Sequence, residues 1–71
     1  MGYYKRLRDL REDNNYTQKQ IAEVLFTTQP QYHRYESGLR DLSGELLIIL
    51  SKFYNVSTDY ILGLTDNPEK G

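Results

Sequence analysis

Between Gln29 and Ser37 the chain carries an amide, an imidazole and a guanidinium, on Gln29, His33 and Arg34. On a helix turning about 100° per residue, Tyr32 and Tyr35 point one way, about 60° apart, while Gln29, Pro30, His33 and Arg34 cover the opposite side. The tyrosines would anchor such a helix, and its other side would offer hydrogen-bonding groups. Nucleobase edges are the natural target, because Arg pairs in bidentate fashion with guanine and Gln with adenine. An ordinary surface helix more often shows Glu–Lys pairs. On geometry alone, a face that binds another protein is the open alternative.

The elements that must position this face are legible from their caps. Thr17-Gln18-Lys19-Gln20 is a capping box, in which the Thr and Gln side chains satisfy backbone donors reciprocally. Ile21, Ala22 and Leu25 then form a short apolar stripe. Thr28-Gln29-Pro30-Gln31 repeats the Thr-x-x-Gln pattern, with Pro in the first turn, where its missing N–H costs nothing. Ser37-Gly38 closes that helix through a left-handed exit. Only Phe26-Thr27 separates Leu25 from the Thr28 cap, so the two helices meet at a tight corner with the second projecting outward.

Three more helices complete an all-α reading. The first runs from about Tyr3 to Asp13, with Tyr3, Leu7, Leu10 and Asn14 on one face, and ends at Asn14-Asn15. The fourth starts at a Ser43 cap and buries Leu46, Leu47, Leu50, Phe53 and Tyr54. The fifth starts at Ser57, carries Tyr60, Ile61 and Leu62, and stops at Gly63. Residues 1–64 form one domain, and residues 65–71 are turn-rich and expected to be a short flexible tail. Leu39, Leu42 and Ile48 are candidates for core or for a dimer contact, with core favoured for Leu42. Tyr60, Ile61 and Leu64 are expected mostly in the core, with a dimer contact as the alternative.

Composition narrows the function classes. A chain of 71 residues has one small core worth only ~3–5 kcal/mol of net stability, and its seven tyrosines and two phenylalanines must do much of the filling. With no cysteine, disulfides and thiolate metal sites are excluded, and a single histidine leaves no metal-ligand set. No concentrated pair of carboxylates accompanies them, so neither an enzyme nor a cofactor is expected. No apolar run approaches the ~20 residues that span a bilayer. Met1-Gly2 resembles a myristoylation start only weakly, since Arg6 stands where Ser or Thr is needed. A cytoplasmic location and no small-molecule ligand are expected. The formal charge is −1, but residues 1–40 hold seven Lys and Arg against five Asp and Glu, and residues 41–71 hold two against five. A basic and an acidic half suit a molecule with one nucleic-acid face.

Residues 3–64 resemble the phage-repressor/Cro (XRE-type, lambda-repressor-like) helix-turn-helix family. The resemblance lies in Arg6-Leu7-Arg8-Asp9-Leu10-Arg11, Tyr16-Thr17-Gln18-Lys19-Gln20-Ile21-Ala22, Thr28-Gln29, Arg34-Tyr35-Glu36-Ser37-Gly38 and Asn55-Val56-Ser57-Thr58-Asp59-Tyr60-Ile61-Leu62-Gly63. Each stretch is weak alone, and their order and separation make the signal strong. The resemblance implies a five-helix domain whose second and third helices form the DNA-binding corner. It also implies a homodimeric transcriptional regulator, as a repressor, on a palindromic operator of double-stranded DNA.

By position, the resemblance places Thr28, Gln29, Pro30, His33 and Arg34 at the base-reading face. Gln18 would touch a phosphate through its amide and the helix N-terminus, and Thr17, Ser37 and Arg40 are further candidate phosphate contacts. Tyr4 and Lys5 are either phosphate contacts or plain surface. Arg11 and Glu36 match a structural ion pair, and Ala22 matches the small residue where two helices cross. Two departures stand out. Phe26 occupies a turn position where Gly with positive φ is usual, so the turn is either strained by ~1–2 kcal/mol or shaped differently. Pro30 replaces a polar reader and offers only apolar contact, as to a thymine methyl. Alternatives on the same fold are a protein-interaction module or an antitoxin with weak or no independent DNA binding.

Overall fold

A hydroxyl opens four of the five helices that the computed structural model shows over its described residues, 4–69. Helix α1, Lys5–Asp13, lacks a side-chain cap and follows Tyr4. Helix α2, Gln18–Val24, starts at Thr17; helix α3, Gln29–Ser37, at Thr28; helix α4, Gly44–Tyr54, at Ser43; helix α5, Thr58–Ile61, at Ser57. In each of these four the cap oxygen accepts from the backbone N–H three residues on, which satisfies a donor the helix leaves unpaired. Tyr3, Met1-Gly2 and the last two tail residues lie outside the described residues.

The ends are as locally determined as the starts. Gly38, Asn55 and Gly63 adopt φ of 82°, 58° and 78°, left-handed values that Gly and Asn tolerate. Asn15, φ 62°, turns the chain after α1 in the same way. Phe26 also lies there, at φ 57°, so the corner between α2 and α3 keeps the left-handed geometry although the residue is aromatic.

Leu7, Ile21, Ala22, Leu25, Tyr32, Leu42, Leu50, Val56 and Ile61 make one core. Every helix contributes to it. Ala22 is buried on α2, which packs against α3. Tyr16, Phe53 and Tyr54 form a satellite of tilted and edge-on rings, centroids 5.1 to 6.5 Å apart, which ties the α1–α2 loop to the end of α4.

Several details differ from the sequence reading. Leu64 is 74% exposed rather than in the core, because α5 closes after one turn and the Gly63 exit turns the chain outward. Phe53, expected on the buried side of α4, is 38% exposed, while Leu42 is buried as favoured and Leu39 and Ile48, open between core and a dimer contact, are exposed. The box at Thr17 is complete, but at Thr28 only half forms: Gln31 donates its backbone N–H to Thr28 while its side chain turns elsewhere. The tail through Glu69 is held at several points. Arg6 donates to the Tyr60 and Thr65 carbonyls and to Asp66, stacks 4.2 Å above the Tyr60 ring, and Ser57 N–H donates to the Pro68 carbonyl.

Candidate nucleic-acid interface

The inward side of α3 is set by Tyr32, fully buried, with Tyr35 half-buried beside it. Burial raises the Tyr32 phenol above its ordinary pKa, and the nearby Glu36 charge adds to this. The outward side is Gln29, Pro30, His33 and Arg34, all exposed, with Thr28 exposed at the cap. Tertiary packing of two aromatic anchors thus orients a polar face, in a helix too short to be stable alone.

The start of α2 lies beside that face. Gln29 Nε2 donates to Gln18 Oε1 at 2.5 Å, and Gln18 Nε2 lies 3.2 Å from both His33 Nδ1 and Glu36 Oε1. Glu36, 5% exposed, accepts from Arg11 Nε at 2.6 Å and Nη2 at 3.1 Å. Arg11 Nη1 also donates to the Tyr16 carbonyl. Burial pushes the Glu36 carboxyl up, but the hydrogen bonds it accepts, with Arg11's charge, outweigh that and hold it below the usual carboxylate range. The bond to Glu36 raises the Arg11 pKa against the lowering effect of burial. Arg8, Arg11, Gln18, His33, Glu36 and Ser37 line an open cleft of about 330 Å³ at this junction.

The other named residues lie around this network. Arg34 and Arg40 converge on Gln31, whose sequence position marks it only as a cap partner: Gln31 Oε1 accepts from Nη1 of each at 3.3 Å. Its spacing of three from Arg34 was the available signal; the approach of Arg40 from beyond Gly38 had none. Ser37 Oγ donates to the Arg34 carbonyl, Thr17 Oγ1 caps α2, and both residues are exposed. The structure therefore links Gln18, Gln29, His33, Arg11 and Glu36 in one network and Arg34 with Arg40 in another. Thr28 meets the second only through the Gln31 backbone N–H it caps, and Pro30 makes no side-chain hydrogen bond. No group of three or more His, Asp or Glu that could hold a metal occurs among the described residues, and no helix there is long and apolar enough to cross a membrane.

This corner of two helices matches a known family over most of its length. The family model described as helix-turn-helix covers residues 7–61. The chain belongs to that family. It is 42% identical over 67 residues to the HTH-type transcriptional regulator YobD of Bacillus subtilis, which covers 94% of this chain and 60% of YobD. It is 41% identical over 70 residues to the HTH-type transcriptional regulator ImmR of the same organism, covering 99% of this chain and 55% of ImmR. The HTH-type transcriptional activator BcrR of Enterococcus faecalis is 36% identical over 62 residues, 87% of this chain and 30% of BcrR. The chain thus spans little more than half the length of the first two relatives. No solved structure matches it. In this helix-turn-helix domain α2 and α3 are the paired helices.

Proposed function

We propose that the chain is the DNA-reading domain of a transcriptional regulator, with α3 in the major groove of a double-stranded operator. The observation that carries this is the division of α3 into a buried Tyr32 side and an exposed side of Gln29, Pro30, His33 and Arg34. Thr28, Gln29, His33 and Arg34 supply hydrogen bonds to base edges, and Pro30 supplies apolar contact. Thr17, Ser37 and Arg40 contact phosphate. Both side-chain N–H groups of Gln18 point at Glu36 and His33, so its phosphate contact uses the main-chain N–H in the first turn of α2, which has no intrahelical acceptor.

The domain acts as a homodimer on a palindromic site. Its extents of 31 × 25 × 20 Å let two copies sit side by side on half-sites one helical turn, ~34–36 Å, apart without overlap. Repression by occupancy requires nothing beyond tight binding at a promoter, and is the mode we assign; DNA as partner sets the protein in the cytoplasm. A protein-interaction module or antitoxin is supported by exposed Phe26 and Leu39, 91% and 78% accessible. Against it, the one acidic residue of α3, Glu36, is buried and paired, so the outward face carries no negative charge.

Selection from a random duplex library at low salt, followed by a salt titration on the winners, tests the reading. A recovered two-fold motif and an affinity that falls steeply with salt are expected. Equal binding to every duplex, or none, would remove it.

A further inference from the structure

The hydrogen bonds around Gln18 have only one consistent polarity. Glu36 is a carboxylate held by Arg11, so it accepts. The Gln18 atom 3.2 Å from it is therefore the amide nitrogen, and the Gln18 oxygen is free to accept from Gln29, as it does at 2.5 Å. Turning the amide over would set oxygen against carboxylate oxygen and nitrogen against nitrogen. The same Gln18 nitrogen also faces His33 Nδ1 at 3.2 Å. An amide nitrogen only donates, so Nδ1 must accept and the ring proton of neutral His33 must sit on Nε2, on the far side of the ring.

We infer that Gln18 is a polarity relay from Glu36 to the reading face, fixing exposed His33 as an outward Nε2–H donor that selects a base edge bearing an acceptor, guanine O6 or N7 foremost. The inference rests on the proposal that α3 enters the major groove. His33 is then a specificity-determining residue and Gln18 a positioning residue. A histidine free to exchange tautomers would present a donor in one form and an acceptor in the other, and would discriminate weakly. Locked, it offers one pattern, with a preference on the order of tenfold over a base that presents only a donor there, namely cytosine through N4.

Since His33 is the only histidine, its two ring nitrogens are the only imidazole signals in a long-range proton–nitrogen NMR spectrum of the full chain. In the free protein with the ring neutral we expect protonated Nε2 and bare Nδ1, without the minor population an unconstrained ring shows. Gln18→Leu removes the donor and should restore that mixture. Gln18→Glu sets a carboxylate against Nδ1 and should move the proton to it. The remaining amide spectrum reports whether each variant is folded. On duplexes varied one base pair at a time, His33→Lys, a pure donor, should keep the native preference, and His33→Glu, a pure acceptor, should move it to cytosine. A mixed or Nδ1–H ring in the native protein, or a ring unaffected by Gln18→Glu, overturns the relay whatever the DNA results. A locked Nε2–H ring in a protein that binds no duplex overturns instead the groove reading on which it rests. His33→Lys and His33→Glu sharing the native preference at every position would show that His33 does not read.

Discussion

Arg11 grips Glu36 with two parallel hydrogen bonds, Nε to Oε2 and Nη2 to Oε1, across the packing of α1 against the last turn of α3. The carboxyl's folded pKa lies below its ordinary value of 4.5, since the bonds to it outweigh burial. A depressed folded value means that the unfolded chain takes up the proton first. The stabilisation is therefore complete above about pH 5 and is lost as pH falls through the folded value. Unfolding midpoints in urea should drop as pH falls below about 5. Glu36→Gln should flatten that limb and cost ~3 kcal/mol at neutral pH, at the low end for a broken buried pair because Arg11 keeps some water. An acid limb unchanged in Glu36→Gln would assign the acid sensitivity to other carboxylates.

Phe26 holds a left-handed φ of 57° while 91% exposed, so little packing offsets its strain. Phe26→Gly should stabilise the domain by ~1 kcal/mol, the steric cost of a side chain in that conformation less the entropy glycine loses. At this chain length that corresponds to a rise of roughly 4–8 °C in Tm. Thermal unfolding gives the answer. A lower Tm would mean that the exposed ring makes contacts that matter to the folded state.

The caps show how far local chemistry reaches. Thr17, Thr28, Ser43 and Ser57 begin helices because a hydroxyl three residues before an N–H is a local event, as is the left-handed exit at Gly38. The inward Tyr32 was equally legible, since helical periodicity needs no partner to be read. The side chain of Gln31 was not. A cap partner and an arginine partner were both within its reach, and what decides is Arg40, folded back from beyond Gly38. The relay through Gln18 escaped for the same reason: it joins residues 15 and 18 positions apart, and a sequence motif supplies no orientation for an amide.

Arg6 joins α1 to a segment about 60 positions later, with hydrogen bonds to the Tyr60 and Thr65 carbonyls, an ion pair to Asp66 and the Tyr60 ring beneath its guanidinium. Arg6→Ala should cost ~1–2 kcal/mol, the sum of a partly exposed cation–π contact and charge-assisted bonds that water partly replaces. Hydrogen exchange should show amides from Leu64 to Glu69 losing protection while α2 and α3 keep theirs. Arg6→Lys should recover only part, because one ammonium cannot reproduce the planar fork. Protection of that segment unchanged in Arg6→Ala would assign its order to the Ser57–Pro68 bond instead.

Gln31 is the hinge of the last prediction, because its single oxygen accepts from both Arg34 and Arg40. Under the proposed groove reading, Arg34→Ala should lose ~1–3 kcal/mol of discrimination at one base position. Arg40→Ala should weaken all duplexes alike and reduce the slope of log affinity against log salt by about one. Gln31→Glu replaces a weak shared acceptor with a carboxylate 3.3 Å from both guanidiniums, which holds them back from DNA and adds negative charge to the face. Affinity for every duplex should then fall at least about tenfold, by the same charge logic that makes phosphate contacts salt-dependent. Fluorescence anisotropy on the selected operator and on a scrambled duplex separates these outcomes. If Gln31→Glu left both affinities at native values, neither Arg34 nor Arg40 would be contacting DNA, since their nearest acceptor would have changed charge without consequence.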